Sequence, residues 1–238
     1  MKKVIKQVTV TGADNSTSIE DMLRIQEQYP FVEWGILLSL SSEDTNRFPS
    51  QGWIEQLADV QHKLALSGHL CGRWVRDLCG GENTFYKDRS SFRGIFDRYQ
   101  LNFHAYTHRI KDRDAFIKAV ASLCARQVIF QFDDVNNELL MVARESGLHA
   151  VPLFDTSGGA GVLPKEWPEG LEKMRCGYAG GLSPENLKEQ MEVISERCGG
   201  AIWIDAETHL RSDCDRVFDM EKVCKFLEEA KPWVMLPK

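Results

Sequence analysis

Eight times along this chain a short β-rich apolar run is followed by a stretch of helical periodicity, and this alternation limits the fold more than any other feature. The strand candidates are Gln7–Thr11, Val32–Leu38, Leu64–Ser67, Tyr99–Phe103, Val128–Phe132, Ala150–Phe154, Cys176–Ala179 and Ala201–Asp205. Successive runs begin 22 to 35 residues apart, which is room for one strand, one helix and two short loops. Between them the sequence reads as amphipathic helix. Ser18-Ile-Glu-Asp21 forms a capping box for a helix through Gln28 that Pro30 ends. Trp53, Ile54, Leu57 and Val60 recur at helical spacing, as do Phe116, Ile117, Val120 and Leu123, and the last helix carries Val223, Phe226 and Leu227 on one face. Pro184 stands at a first helical position after Ser183, and Gly199-Gly200 closes that helix.

Strict strand–helix alternation requires a parallel sheet. Eight units in 238 residues match a closed (β/α)8 barrel, the TIM-barrel architecture, better than an open doubly wound sheet. The expectation is one α/β domain over residues 1–238, with its working face at the carboxyl ends of the strands. Trp34 and Trp203 fall inside strands and are expected in the core; Trp53, Trp74, Trp167 and Trp233 are expected to pack helices or flank loops.

Composition removes several function classes. The net charge of −6 and the lack of a Lys/Arg cluster argue against nucleic-acid binding. No run approaches the ~18 apolar residues of a membrane span, and Lys6 interrupts any amino-terminal signal-like segment. The seven cysteines form no C-x-x-C pair, so neither a disulfide framework nor a zinc ribbon is expected. Reduced, buried thiols in a cytoplasmic protein are the simplest reading. No H-x-H or H-E-x-x-H spacing occurs, and no cofactor is expected.

The seventh unit reads Tyr178-Ala-Gly-Gly-Leu-Ser-Pro-Glu-Asn186. It strongly resembles the A-G-G-L-x-P-E-N segment of the phosphoribosylanthranilate isomerases. Paired glycines let the backbone approach an anion, and N–H groups opening the next helix point at it. A tight strand-to-helix turn without a ligand has the same signature. Other segments follow in the family's order. Gly35-Ile-Leu-Leu with Ser41-Ser-Glu-Asp-Thr-Asn-Arg47 resembles strand two and the loop whose arginine faces the substrate. Tyr99-Gln-Leu-Asn102 resembles the V-Q-L-H of strand four. Phe154-Asp-Thr-Ser-Gly-Gly-Ala-Gly161 resembles the strand-six aspartate and its glycine loop, and Ile204-Asp205 resembles the V-D of strand eight. The resemblance covers nearly the whole chain and keeps its order.

Two departures bear on chemistry. The family's first strand ends K-I-C-G with the cysteine as general base; the matching run here is Thr9-Val-Thr-Gly12, with Thr11 in that place. A threonine hydroxyl does not ionise near neutrality. The family's strand-eight loop, S-S-G-V-E, is replaced by Glu207-Thr-His-Leu-Arg211. Glu207 would repel a phosphate dianion, while His209 or Arg211 would restore an anion site of different shape.

What the resemblance implies is an Amadori-type isomerase for a small phosphorylated, sugar-like substrate, working as a monomer or homodimer and not as the ordinary tryptophan-pathway enzyme. Asp155 would be the general acid, with loop bracing or helix capping as its alternative role. Asp14 or Asp205 would be the base, although Asp14-Asn-Ser-Thr-Ser is also ordinary loop and capping chemistry. Asp205 and Glu207, two apart, could instead hold substrate, a metal or a rim salt bridge. Gly180, Gly181, Ser183 and Arg211 would bind phosphate. Arg47, Thr11, Gly158, Gly159, His69 and His104 would face the substrate. Two other readings keep the scaffold: an aldolase or metal-dependent lyase with a rebuilt mouth, drawing on His69, Cys71, His104 and Asp133-Asp134, or a non-catalytic ligand-binding relative.

Overall fold

In the computed structural model, residues 2–132, 136–155 and 160–235 are described, without the side chains of His104 and Ala105. Strands β1 (Ile5–Thr11), β2 (Val32–Leu38), β3 (Leu66–Leu70), β4 (Arg98–Leu101), β5 (Gln127–Phe132), β6 (Ala150–Asp155), β7 (Cys176–Ala179) and β8 (Ile202–Ala206) pair in parallel in chain order. β8 pairs with β1, which closes the barrel. The chain is therefore the single-domain α/β barrel expected, and not the open doubly wound sheet that the alternation also allowed.

The helices are α1 (Ile19–Gln28), α2 (Gln51–Leu57), α3 (Arg73–Cys79), α4 (Phe85–Asp88), α5 (Arg113–Ala121), α6 (Asn137–Glu145), α7 (Leu187–Arg197) and α8 (Met220–Ala230). Local chemistry places their starts. The Ser18 side chain accepts the Asp21 N–H at α1, Ser50 accepts that of Trp53 at α2, and Asp219 accepts those of Glu221 and Lys222 at α8. Met22, Trp53, Ile54, Phe116, Ile117, Val223, Phe226 and Leu227 are all buried against the barrel.

The distribution of helices differs from one per strand. The third connection carries two, α3 and α4, and among the described residues none lies between β6 and β7. Pro164, Pro168 and Gly170 interrupt that connection. Trp167 covers the barrel in the helix's place: it packs edge-on to Tyr178 at 6.0 Å, donates its indole N–H to Gln190 and receives a bond from Arg197 at its carbonyl. A two-stranded antiparallel ribbon, β9 (Arg211–Ser212) with β10 (Val217–Phe218), follows β8.

Alternation along each strand separates two cores. Residues such as Val10, Trp34, Ile36, Leu70, Tyr99, Phe130, Tyr178 and Ile204 join the large core between barrel and helices. The other parity lines the barrel and forms a separate small cluster of Ile129, Val151, Leu153, Ala179 and Trp203, all from β5 to β8. The lining of β1 to β4 is polar instead: Thr9, Thr11, Glu33, Ser67, His69, Arg98 and Gln100, all buried.

The lower half of this lining is cross-linked. Arg98 grips Glu33 with Nε at 2.7 Å and Nη2 at 2.5 Å, and Gln7 and Thr9 donate to the same carboxylate. Arg98 also donates to Gln127, and Arg175 to Gln7. The Trp203 ring lies 4.9 Å from the Arg98 guanidinium and 5.2 Å from that of Arg175. Gly177 makes room for that ring, since a Cβ there would stand 2.3 Å from it. A charged plug thus floors the barrel, and the open end lies at the strands' carboxyl termini.

Candidate active site

A cavity of about 350 Å³ opens at that end. Its wall takes Asp155 from the end of β6, Gly180 and Gly181 after β7, and Asp205 with Glu207 at the end of β8; Cys71, Gln100, Asn102 and Gln131 complete the opposite side. Three acidic side chains and three amides from four strands therefore converge on one space.

Asp205 is buried and accepts a 2.7 Å hydrogen bond from the Thr11 hydroxyl. Burial pushes its carboxyl well above the usual aspartate range; the Thr11 bond opposes this, while Glu207, Asp155 and Glu33 push the same way. Asp205 is thus a carboxylic acid in the cavity held toward its uncharged form. Glu207 is also raised by burial, with an opposing pull from Arg47.

The expected substrate-facing arginine is placed differently. Arg47 donates to Glu207 through Nη1 at 2.6 Å and to Asp215 through Nε at 2.8 Å, and its backbone N–H bonds to Asp14. Arg211 is buried in a 2.7 Å pair with Asp14 and a 2.8 Å pair with Asp215, and its Nη1 donates to the Gly12 carbonyl. Asp14, Arg211, Asp215, Arg47 and Glu207 therefore form one chain of ion pairs tying the loops after β1, β2 and β8. Burial raises the Asp14 carboxyl, but bonds from Ser16 and Arg211 outweigh it and hold the group below its ordinary range. Of these five only Glu207 lines the cavity.

His69 lies within β3 rather than after it, fully buried beside Arg98, and burial with that positive neighbour lowers it to about 3. It is a neutral imidazole at physiological pH. Thr11 reaches Asp205 instead of opening on the cavity. The Cys71 thiol is pushed up to about 12 by burial and receives a bond from the Asn102 amide, so it is a neutral lining group.

Gly180 and Gly181 both have positive φ, +112° and +67°. At Gly181 a Cβ would stand 2.4 Å from the Leu163 nitrogen, so the glycine is demanded by the approach of its own neighbouring loop. The turn after it is self-contained. The Ser183 N–H donates to the Asn186 side chain, the Ser183 hydroxyl accepts the N–H groups of Glu185 and Asn186, and α7 begins only at Leu187. The helix expected to open at Pro184 starts three residues later, because Ser183 and Asn186 cap each other. Toward the same corner, Gly161, Thr208 and His209 line the cavity, with His209 Nε2 donating to the Gly161 carbonyl.

Gly158 and Gly159 lie outside the described residues, as do Asp133 and Asp134, and His104 is described in its backbone alone. Among the described residues no group of three His, Cys, Asp or Glu side chains is placed to hold a metal ion, no helix is long and apolar enough to cross a membrane, and the cysteines are unpaired. Sequence reasoning passed over Gln100, Gln131, Thr208 and Gly161 as cavity residues. A signal existed for one of them: polar residues at every second position in Arg98-Tyr-Gln-Leu-Asn102 mark a polar inner face.

No family model and no curated protein sequence matches the chain. Solved structures do. The N-(5'-phosphoribosyl)anthranilate isomerase of Pyrococcus furiosus superposes with a TM-score of 0.55 at 12% identity, over 95% of this chain and 98% of that one. Monomers made from the dimeric phosphoribosylanthranilate isomerase of Thermotoga maritima give 0.56 at 14% identity, over 94% and 98%. The carboxyl transferase domain of Rhizobium etli pyruvate carboxylase gives 0.51 at 11% identity, over 95% of this chain and 48% of that one. Along almost its whole length, this chain has the fold of the phosphoribosylanthranilate isomerases.

Proposed function

We propose that this barrel is an acid/base enzyme of the isomerase type, acting on a small phosphorylated, sugar-like substrate in its mouth. The observation that carries the reading is the placement of two carboxyls, Asp205 on β8 and Asp155 on β6, on one cavity, with Asp205 held toward its uncharged form. An acid that keeps its proton near neutrality can protonate a ring oxygen and open a sugar ring. A second carboxylate across the cavity can take the proton from the adjacent carbon. The roles are thus Asp205 as acid and Asp155 as base, the reverse of the order that the resemblance alone implied. Asp14 is left out, since its ion pair with Arg211 occupies it away from the cavity.

The amides of Asn102 and Gln131 suit hydroxyl groups, donating and accepting without adding charge. A phosphate end fits the corner of Gly180, Gly181, Thr208 and His209, across the cavity from the amides. Arg47 and Arg211, already paired, brace the loops that carry Glu207.

The test is proton exchange at carbon. The protein is incubated in deuterium oxide with a panel of aldose and ketose phosphates, and deuterium incorporation is followed by proton NMR. Incorporation is expected with at least one sugar phosphate and should fall by ~10²-fold or more in Asp155→Asn and Asp205→Asn. No incorporation from any member, or full activity in both variants, would overturn the reading.

A further inference from the structure

Beneath the cavity, on the inner faces of β3 and β4, three fully buried polar atoms have no protein partner: Oγ of Ser67, Nε2 of His69 and Oε1 of Gln100. Each such atom costs ~1–3 kcal/mol if nothing satisfies it, and buried polar groups are as a rule bonded to protein or to ordered water. His69 and Gln100 are register partners, side by side on adjacent strands, and Ser67 precedes His69 on the same face. Thr11 belongs to the same space. A Cβ built on Gly35 would lie 3.0 Å from His69 Nε2 and 2.2 Å from Thr11 Oγ1, so the two atoms stand no more than about 5 Å apart, the separation of two groups bridged by one water. A polar site with several convergent partners is where a buried water is retained.

We infer that an ordered water is bound inside the barrel among His69, Gln100 and Thr11, and that it fixes the direction in which Thr11 bonds to Asp205. His69 and Thr11 are then positioning residues for the acid assigned under the proposed function, on which this second half of the inference rests.

Donor counting gives the arrangement. The Gln100 amide nitrogen is committed to Asn102, and its carbonyl oxygen can only accept. The Thr11 hydrogen lies on Asp205 Oδ1, so toward the water Thr11 also accepts. Those two bonds use both hydrogens of the water. His69 must therefore donate, which requires the neutral tautomer with its hydrogen on Nε2, and the Ser67 hydroxyl is free to supply the fourth bond. With the water donating to Thr11, the threonine hydrogen is left to bond Asp205, which completes the network. In this arrangement Oδ1 of Asp205 is the acceptor, and the acid proton sits on Oδ2.

The experiment is nitrogen-15 NMR of the histidine rings in the full-length protein, together with a crystal structure fine enough to show ordered water. The expected results are a His69 ring that stays neutral with Nε2 protonated from pH 5 to 8, and a water within hydrogen-bond distance of His69, Gln100 and Thr11. A His69 ring protonated on Nδ1 alone, or no water in that position, overturns the inference. Carbon-13 titration of Asp205 then tests the coupling, with Glu207, Asp155 and Glu33 as the other charges acting on it. Thr11→Val should tighten proton binding at Asp205 by about tenfold, because a bond to the carboxylate is lost. His69→Leu should move it in the same direction by a smaller factor. No change in either variant overturns the positioning role. An ordinary aspartate titration in the parent, with the water and the tautomer as expected, supports the water site while removing the acid role, so the two failures are distinguishable.

Discussion

Arg98 holds both carboxylate oxygens of Glu33 at the floor of the barrel, where neither side chain is more than 6% exposed. A paired charge in such a place is tolerated; a lone one is not. Glu33→Gln should therefore cost about 3–5 kcal/mol and lower the melting temperature by roughly 10 °C. The double change Glu33→Leu with Arg98→Met should cost less than the single one. Denaturant unfolding of the three proteins checks this, and equal stability of parent and Glu33→Gln would show that the pair contributes nothing.

Asp205 should make the protein less stable as pH rises. Its folded proton affinity is raised, so the folded state keeps a proton that the unfolded chain loses near the ordinary aspartate value of 3.8. The stability it contributes is complete below that pH and is lost as pH climbs through the folded value. Asp205→Asn cannot ionise and should be as stable as the parent or more so at pH 7, with the advantage shrinking toward pH 4. Melts from pH 4 to 8 show the trend; a variant clearly less stable at neutral pH would contradict it.

His69 acts in the opposite sense. Its folded value of about 3 lies below the ordinary imidazole value of 6.5, so on acidification the unfolded chain takes up a proton that the barrel refuses. Its contribution is complete above pH 6.5 and declines as pH falls toward 3. His69→Leu should flatten the loss of stability between pH 6.5 and 4, measured as urea midpoints. An unchanged slope would place the acid sensitivity elsewhere.

Two glycines separate packing from backbone strain. Gly181 and Gly94 both have positive φ, +67° and +79°, but a Cβ meets Leu163 at the first and nothing within 4 Å at the second. Gly94→Ala should cost about 1–2 kcal/mol from the backbone alone. Gly181→Ala should cost at least ~1 kcal/mol more, because the loop at 162–163 must move. Equal costs would mean that loop yields freely.

The barrel itself was legible in the sequence, because strand–helix alternation and apolar periodicity are local properties that few architectures satisfy. The Ser18 cap, the buried faces of α2, α5 and α8, and the glycine turn after β7 were readable for the same reason. Asp155, Asp205, Gly180 and Gly181 were placed at the mouth, and the structure brings those four to one cavity. What tertiary structure decided was pairing. Arg47 and Arg211 look like anion ligands in one dimension, but residues 160 or more positions away, Glu207 and Asp14, engage them. Whether Asp205 keeps its proton depends on burial beside Glu207 and on Thr11, Asp155 and Glu33, which come from three other segments of the chain. The position of His69 turned on a three-residue difference in where β3 lies, and on whether its parity faced Arg98 or solvent. Sequence periodicity specifies which face of an element is apolar; partners and protonation depend on distances between strands far apart in the chain, and those exist only once the barrel closes.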